Sequence, residues 1–108
     1  MKIAVMGTGA MACLFGGRMA QHNHETWLVS GWKENVAVIS EKGIVVREKD
    51  RADLTVRPYA TLNAADVIAD GIYPDLVLVS CKGMQTEATI KRALPVIGEN
   101  TSVLTLQN

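Results

Sequence analysis

Four apolar residues, Ile3-Ala4-Val5-Met6, run directly into Gly7-Thr8-Gly9-Ala10-Met11-Ala12, and a helical pattern follows at once. This junction constrains the fold more than any other stretch of the chain. A short continuous apolar run ending in glycine reads as a parallel strand buried on both faces. The segment after it fits G-x-G-x-x-G/A in the strand-to-helix context that this fingerprint requires. Gly7 permits the tight turn, Gly9 lets a pyrophosphate approach the backbone, and Ala12 is small where helix meets sheet. The helix N-terminus offers unpaired N–H groups and a partial positive charge to phosphates. Gly7, Thr8, Gly9, Ala10, Met11 and Ala12 are therefore the expected cofactor loop.

The rest of the chain alternates in the same way. A helix is expected from Ala10 to about Gln21, with Met11, Leu14, Phe15 and Met19 on its apolar face and Asn23 as a left-handed cap. Gly16 and Gly17 are read as close-packing positions. A second strand covers Thr26 to Val29. A second helix covers Lys33 to Lys42, with Val36 and Ile39 inward and Gly43 ending it. Ile44–Val46 and Leu54–Val56 read as a hairpin about the polar turn Lys49–Ala52. Ala60 to Asp70 is ambiguous, with a short helix expected around Ala64–Ala69. Leu76 to Val79 is a buried strand. Thr86 to Leu94 is a helix with Ile90, Ala93 and Leu94 inward, closed by Pro95. Val103 to Leu106 is a last strand. Strand–helix alternation with short connections implies a Rossmann-type, doubly wound α/β fold: a mostly parallel sheet with helices on both faces.

Composition excludes several classes of function. Eleven basic and eleven acidic residues cancel, which argues against a nucleic-acid or membrane-surface partner. Arg47, Lys49 and Arg51 interleave with Glu48 and Asp50 and read as a solvated turn. Two cysteines without ligand spacing support neither a metal site nor a disulfide scaffold. No signal peptide or membrane span is expected, so the default location is cytoplasmic.

The end of the second strand bears on the choice of cofactor. A site for NAD usually places Asp or Glu there to hold the ribose hydroxyls. Here the sequence is Leu28-Val29-Ser30-Gly31-Trp32-Lys33. Ser30 can donate to a phosphate and Lys33 can reach one, which favours NADPH over NADH. The same residues also fit a helix cap and a solvated lysine, and Glu34 lies close by.

Several blocks together resemble the ketopantoate (2-dehydropantoate) 2-reductase family. They are Lys2 to Ala10, His24-Glu25 before the second strand, Gly43 ahead of the hairpin, Asp75 to Lys82, Gln85-Thr86, and Leu104-Thr105-Leu106-Gln107-Asn108. The resemblance implies NADPH-dependent reduction of a small 2-keto acid to a 2-hydroxy acid, in pantothenate synthesis. It implies that Lys82 is a catalytic residue near nicotinamide and substrate, and that Asn108 contacts the cofactor. It also implies a helical C-terminal domain that carries the main catalytic lysine and a glutamate. Residues 1–108 are then expected to be a dinucleotide-binding domain without its catalytic partner domain, and any homodimer would form through that missing domain. One departure stands out. Members with clear NADPH preference often carry arginine at the second-strand end, where this chain has Gly31.

Other residues are read more plainly. Lys82 also fits a surface lysine on a strand-to-helix loop. Cys13 sits where a helix terminus lowers a thiol pKa, although packing is the simpler role. Cys81 is expected to be structural, His22 and His24 to lie at the surface, and Met84 and Trp32 to line the cofactor cleft or to cover the core. Gln85 and Thr86 begin a helix. Two alternatives to the reductase are a non-catalytic NAD(P)-sensing module, since fold alone does not settle function, and a related dehydrogenase with another substrate.

Overall fold

A computed structural model of the chain describes residues 1–80 and 86–106. The elements are β1 (Lys2–Met6), α1 (Ala10–Gln21), β2 (Glu25–Val29), α2 (Lys33–Lys42), β3 (Ile44–Val46), β4 (Leu54–Val56), β5 (Tyr59–Thr61), β6 (Leu76–Ser80), α3 (Thr86–Ala93) and β7 (Ser102–Leu106). Short 3-10 helices span Ala64–Ile68 and Leu94–Val96. The main sheet has the order β5-β2-β1-β6-β7, and every neighbouring pair is parallel. β3 and β4 form a separate antiparallel hairpin.

The apolar run of β1 is buried throughout, and its side chains divide between two cores. Ala4 and Met6 join Val29, Val77 and Val79 on one face, under Val67, Ala93 and Val96. Ile3 and Val5 join Leu28 and Leu78 on the other, under Ala12 and Ile39. Strand alternation thus supplies both faces from one continuous apolar sequence. Each fully buried Val or Leu contributes about 1.5–3 kcal/mol by leaving water.

Helix ends form as their residues dictate. Asn23 has φ 67°. The His24 N–H donates to the Met19 carbonyl, and the Asn23 N–H to that of Ala20. That pair of bonds is a Schellman termination. Gly43 closes α2 at φ 75°, where a methyl group would lie 2.5 Å from the Val56 carbonyl oxygen.

Three expectations need correction. The fully buried face of α1 is Ala12, Gly16 and Gly17; of the large apolar positions, Phe15 and Met19 pack against the core partly buried, whereas Met11 and Leu14 do not join it. Met11 and Leu14 are 41% and 50% exposed. The smallest residues face inward because the helix lies close to its neighbours. A Cβ on Gly16 would meet Leu28 at 3.1 Å, and one on Gly17 would meet Ile44 and Val46 at 3.2 Å. Leu94 belongs to a 3-10 turn, not to the inner face of α3, and is 58% exposed; Val96 fills the core instead. The ambiguous stretch from Ala60 begins within a strand, β5, which pairs with β2. Its Tyr59 ring stacks on Trp27 with centroids 4.5 Å apart.

Candidate dinucleotide-binding site

The chain builds outward from β1 through β2 to β5, then crosses back to β6 and β7 on the other side. The carboxyl ends of β1 and β6 therefore diverge at a topological switch point, where open parallel sheets bind ligands. A cleft of about 420 Å³ lies there. Met6, Val29 and Ser80 line it from the strand ends, Gly7, Thr8 and Gly9 from the loop, and Ser30, Trp32, Thr89 and Arg92 from the second-strand end and α3.

The two loop glycines have different jobs. Gly7 sits at φ 134°, and a methyl group there would lie 2.9 Å from the Ser80 carbonyl oxygen. Its N–H donates to the Val29 carbonyl at 2.7 Å. Gly7 is thus a packing residue wedged between strand ends. Gly9 is extended, at φ −74°, and a Cβ there would meet nothing within 4 Å. That open space above the uncapped start of α1 is the cradle a pyrophosphate requires, because the first-turn N–H groups have no partner within the helix. The residues present therefore fit a dinucleotide.

Thr8 is 6% exposed. Its hydroxyl donates to Ser30 Oγ at 3.1 Å. The Asn35 amide donates to the Thr8 hydroxyl and to the Thr8 carbonyl, both at 3.2 Å. Ser30 Oγ also accepts from the Trp32 N–H at 3.0 Å. Ser30 is 8% exposed, so its oxygen ties the loop to the entry of α2 while bordering the cleft.

Not every anticipated residue joins this cleft. Ala10, Met11 and Lys33 are exposed in the first turns of α1 and α2 and lie outside its lining. Ala12 is buried against the sheet, as its size requires. Cys13 does not behave as a helix-terminus thiolate: burial pushes its thiol up, and its Sγ donates to the Thr8 carbonyl at 3.5 Å. Lys82, Asn108, Cys81, Met84 and Gln85 lie outside the described residues. Among the described residues no group of histidine, cysteine and carboxylate side chains has the arrangement of a metal site, and no helix is long and apolar enough to cross a membrane.

Asn35, Thr89 and Arg92 were missed from sequence. Asn35 looks like an ordinary second-turn polar residue. Thr89 and Arg92 share one face of α3 by their spacing of three, which was legible. The strand end that this face overlooks was not.

Comparison with known proteins converges on one family. The sequence profile described as ketopantoate reductase PanE/ApbA matches residues 3–108. The 2-dehydropantoate 2-reductase of Lactococcus lactis subsp. lactis (strain IL1403) is 31% identical over 111 residues, covering all of this chain and 34% of that protein. The crystal structure of a PanE/ApbA family ketopantoate reductase from Ralstonia eutropha JMP134 superposes with a TM-score of 0.85 at 30% identity, covering 100% of this chain and 34% of that one. A D-mandelate dehydrogenase solved with NADH and anilino(oxo)acetate gives a TM-score of 0.83 at 30% identity, with the same coverage. The chain spans about a third of the length of these relatives.

Proposed function

Because the chain belongs to the ketopantoate reductase PanE/ApbA family, we propose that it is the NADPH-binding part of an oxidoreductase that reduces 2-dehydropantoate to pantoate. The observation that carries this reading is the open space at Gly9 above the uncapped start of α1, at the switch point of the sheet. Gly9 and the first-turn N–H groups of Ala10 and Met11 would hold the pyrophosphate, with Gly7 setting the turn and Thr8, Ser30 and Asn35 fixing the loop. The bound nicotinamide supplies the hydride. The protein must orient the keto acid, deliver a proton to its oxygen and exclude water. We assign part of that work to Lys82 as a catalytic residue and to Asn108 as a cofactor contact, on the family resemblance. The remainder falls to a helical domain of the kind that completes a full-length reductase.

An enzyme is supported over a nucleotide-sensing module because the family match runs through to the residues that would serve catalysis. A second reading has its own support. Gly31 stands where arginine would favour NADPH, and a structural neighbour was solved with NADH. In that reading the substrate is another 2-keto acid. The test is oxidation of NADPH and of NADH by the full-length reductase with ketopantoate and with an aromatic 2-keto acid. Turnover of ketopantoate with NADPH is expected. Activity confined to NADH with the aromatic acid would overturn the assignment.

A further inference from the structure

Gly31 leaves the second-strand end without a side chain, and the space beside it is filled from another element. A Cβ on Gly31 would lie 3.2 and 3.3 Å from the two terminal nitrogens of Arg92 and 3.6 Å from its Cζ. The two terminal nitrogens lie nearer than Cζ, so the guanidinium turns its two-nitrogen edge toward the glycine. We infer that Arg92, from α3, supplies the cation for the 2′-phosphate of NADPH that the second-strand end lacks, and so determines cofactor preference. This rests on the dinucleotide reading above.

Four further observations point the same way. The cleft at the glycine loop continues past the β2 end as a groove of about 580 Å³ lined by Ser30, Gly31, Trp32, Ala88, Thr89 and Arg92. The groove thus leads from the expected pyrophosphate position to the guanidinium. Trp32, 60% exposed, borders both parts and is an aromatic residue of the kind that stacks on an adenine ring. Arg92 takes no part in the ion pairs formed among the described residues; the neighbouring Lys91 pairs with Glu87 instead. Glu34 lines neither part of the groove, so no carboxylate among the described lining residues is placed to hold ribose hydroxyls as in an NAD site. A planar guanidinium suits two-point contact with a phosphate, which a lysine ammonium does not reproduce.

Calorimetric titration of the chain with NADPH and with NADH tests this, with Arg92→Ala, Arg92→Lys and the double variant Arg92→Ala/Gly31→Arg alongside. Arg92→Ala should weaken NADPH about tenfold or more and leave NADH within about twofold, as loss of a charge-assisted bond to one phosphate predicts. Arg92→Lys should retain part of the preference. The double variant should regain it, because a guanidinium returns to the same place from β2. Arg92 is exposed, and unchanged melting of the variants separates binding from folding. Equal loss for both cofactors in Arg92→Ala, or no loss for either, overturns the role of Arg92 and leaves the NADPH reading standing. An unmodified chain that binds NADH as tightly as NADPH, or neither, overturns the cofactor reading and this inference with it.

Discussion

The Thr8 hydroxyl lies 3.1 Å from Ser30 Oγ, joining the glycine loop to the end of the adjacent strand. Both side chains are buried, and Asn35 completes the latch from α2. A loop that presents backbone N–H groups to a ligand gains affinity when its conformation is held before the ligand arrives. Thr8 is the free position of the G-x-G pattern, yet here it carries the hydrogen bonds that hold the loop. Asn35→Ala should lower dinucleotide affinity several-fold and cost about 1 kcal/mol of stability, because two part-buried hydrogen bonds to Thr8 are lost. Titration calorimetry and urea unfolding measure the two effects. A variant with unchanged affinity would show that the loop holds its shape without α2.

The two loop glycines should fail in opposite ways. Gly7→Ala places a methyl group 2.9 Å from a backbone oxygen at φ 134°, a strain on the order of 2 kcal/mol or more. Thermal unfolding should move down clearly. Gly9→Val enters open space at an ordinary φ, so the domain should melt near the temperature of the unmodified chain. Its branched side chain would occupy the path of the pyrophosphate, and dinucleotide binding should disappear. Retained binding by a folded Gly9→Val domain would remove Gly9 from the site.

Local chemistry made most of this fold readable in advance. β1, β6, the cap residues Asn23 and Gly43, and the β3–β4 hairpin follow from apolar runs and turn residues close in sequence. On α1 the close packing of Ala12, Gly16 and Gly17 was legible too, but the exposure of Met11 and Leu14 was not, because it depends on where Leu28, Ile44 and Val46 press against the helix. β5 was missed for a related reason. Three residues after a proline carry little periodicity, and Tyr59 gains its place from the Trp27 ring across the strand pair. In the site, Gly7, Thr8, Gly9 and Ser30 were legible from one motif and one strand end. Arg92 was not, because its closeness to Gly31 depends on where α3 crosses the sheet.

Acid should weaken the domain through Asp70. Its carboxylate accepts from Lys2 Nζ at 2.8 Å and from the Ile72 N–H at 3.0 Å. Those bonds, the Lys2 one foremost, hold the carboxyl below its ordinary value near 3.8. A carboxyl whose folded pKa is depressed stabilises the fold fully above its unfolded value, and the contribution is lost as pH falls through the folded one. Asp70→Asn should therefore flatten the fall in stability below about pH 4 and leave the curve near neutrality without a new slope. Denaturant midpoints across the acid range measure it. A variant with the acid limb of the unmodified chain would assign that limb to other carboxylates.

The 108-residue chain alone should bind NADPH and reduce no ketopantoate. Transfer of hydride to a ketone leaves an alkoxide that needs a proton, and the reacting pair must be held together away from water. The described cleft is bordered by the exposed Trp32 and Arg92, and the family resemblance assigns the main proton donor to a domain beyond these residues. Loss of orientation by itself removes several kcal/mol of transition-state stabilisation. Loss of the cofactor's absorbance on adding ketopantoate gives the rate, with the Lactococcus lactis relative as the active reference. Turnover by the chain comparable with that reference would place the catalytic group within these 108 residues. In a full-length reductase carrying this sequence, Lys82→Ala should then lower kcat/KM by about tenfold or more, the scale expected when a proton-transferring or orienting group is removed. An unaffected kcat/KM would remove Lys82 from the catalytic residues.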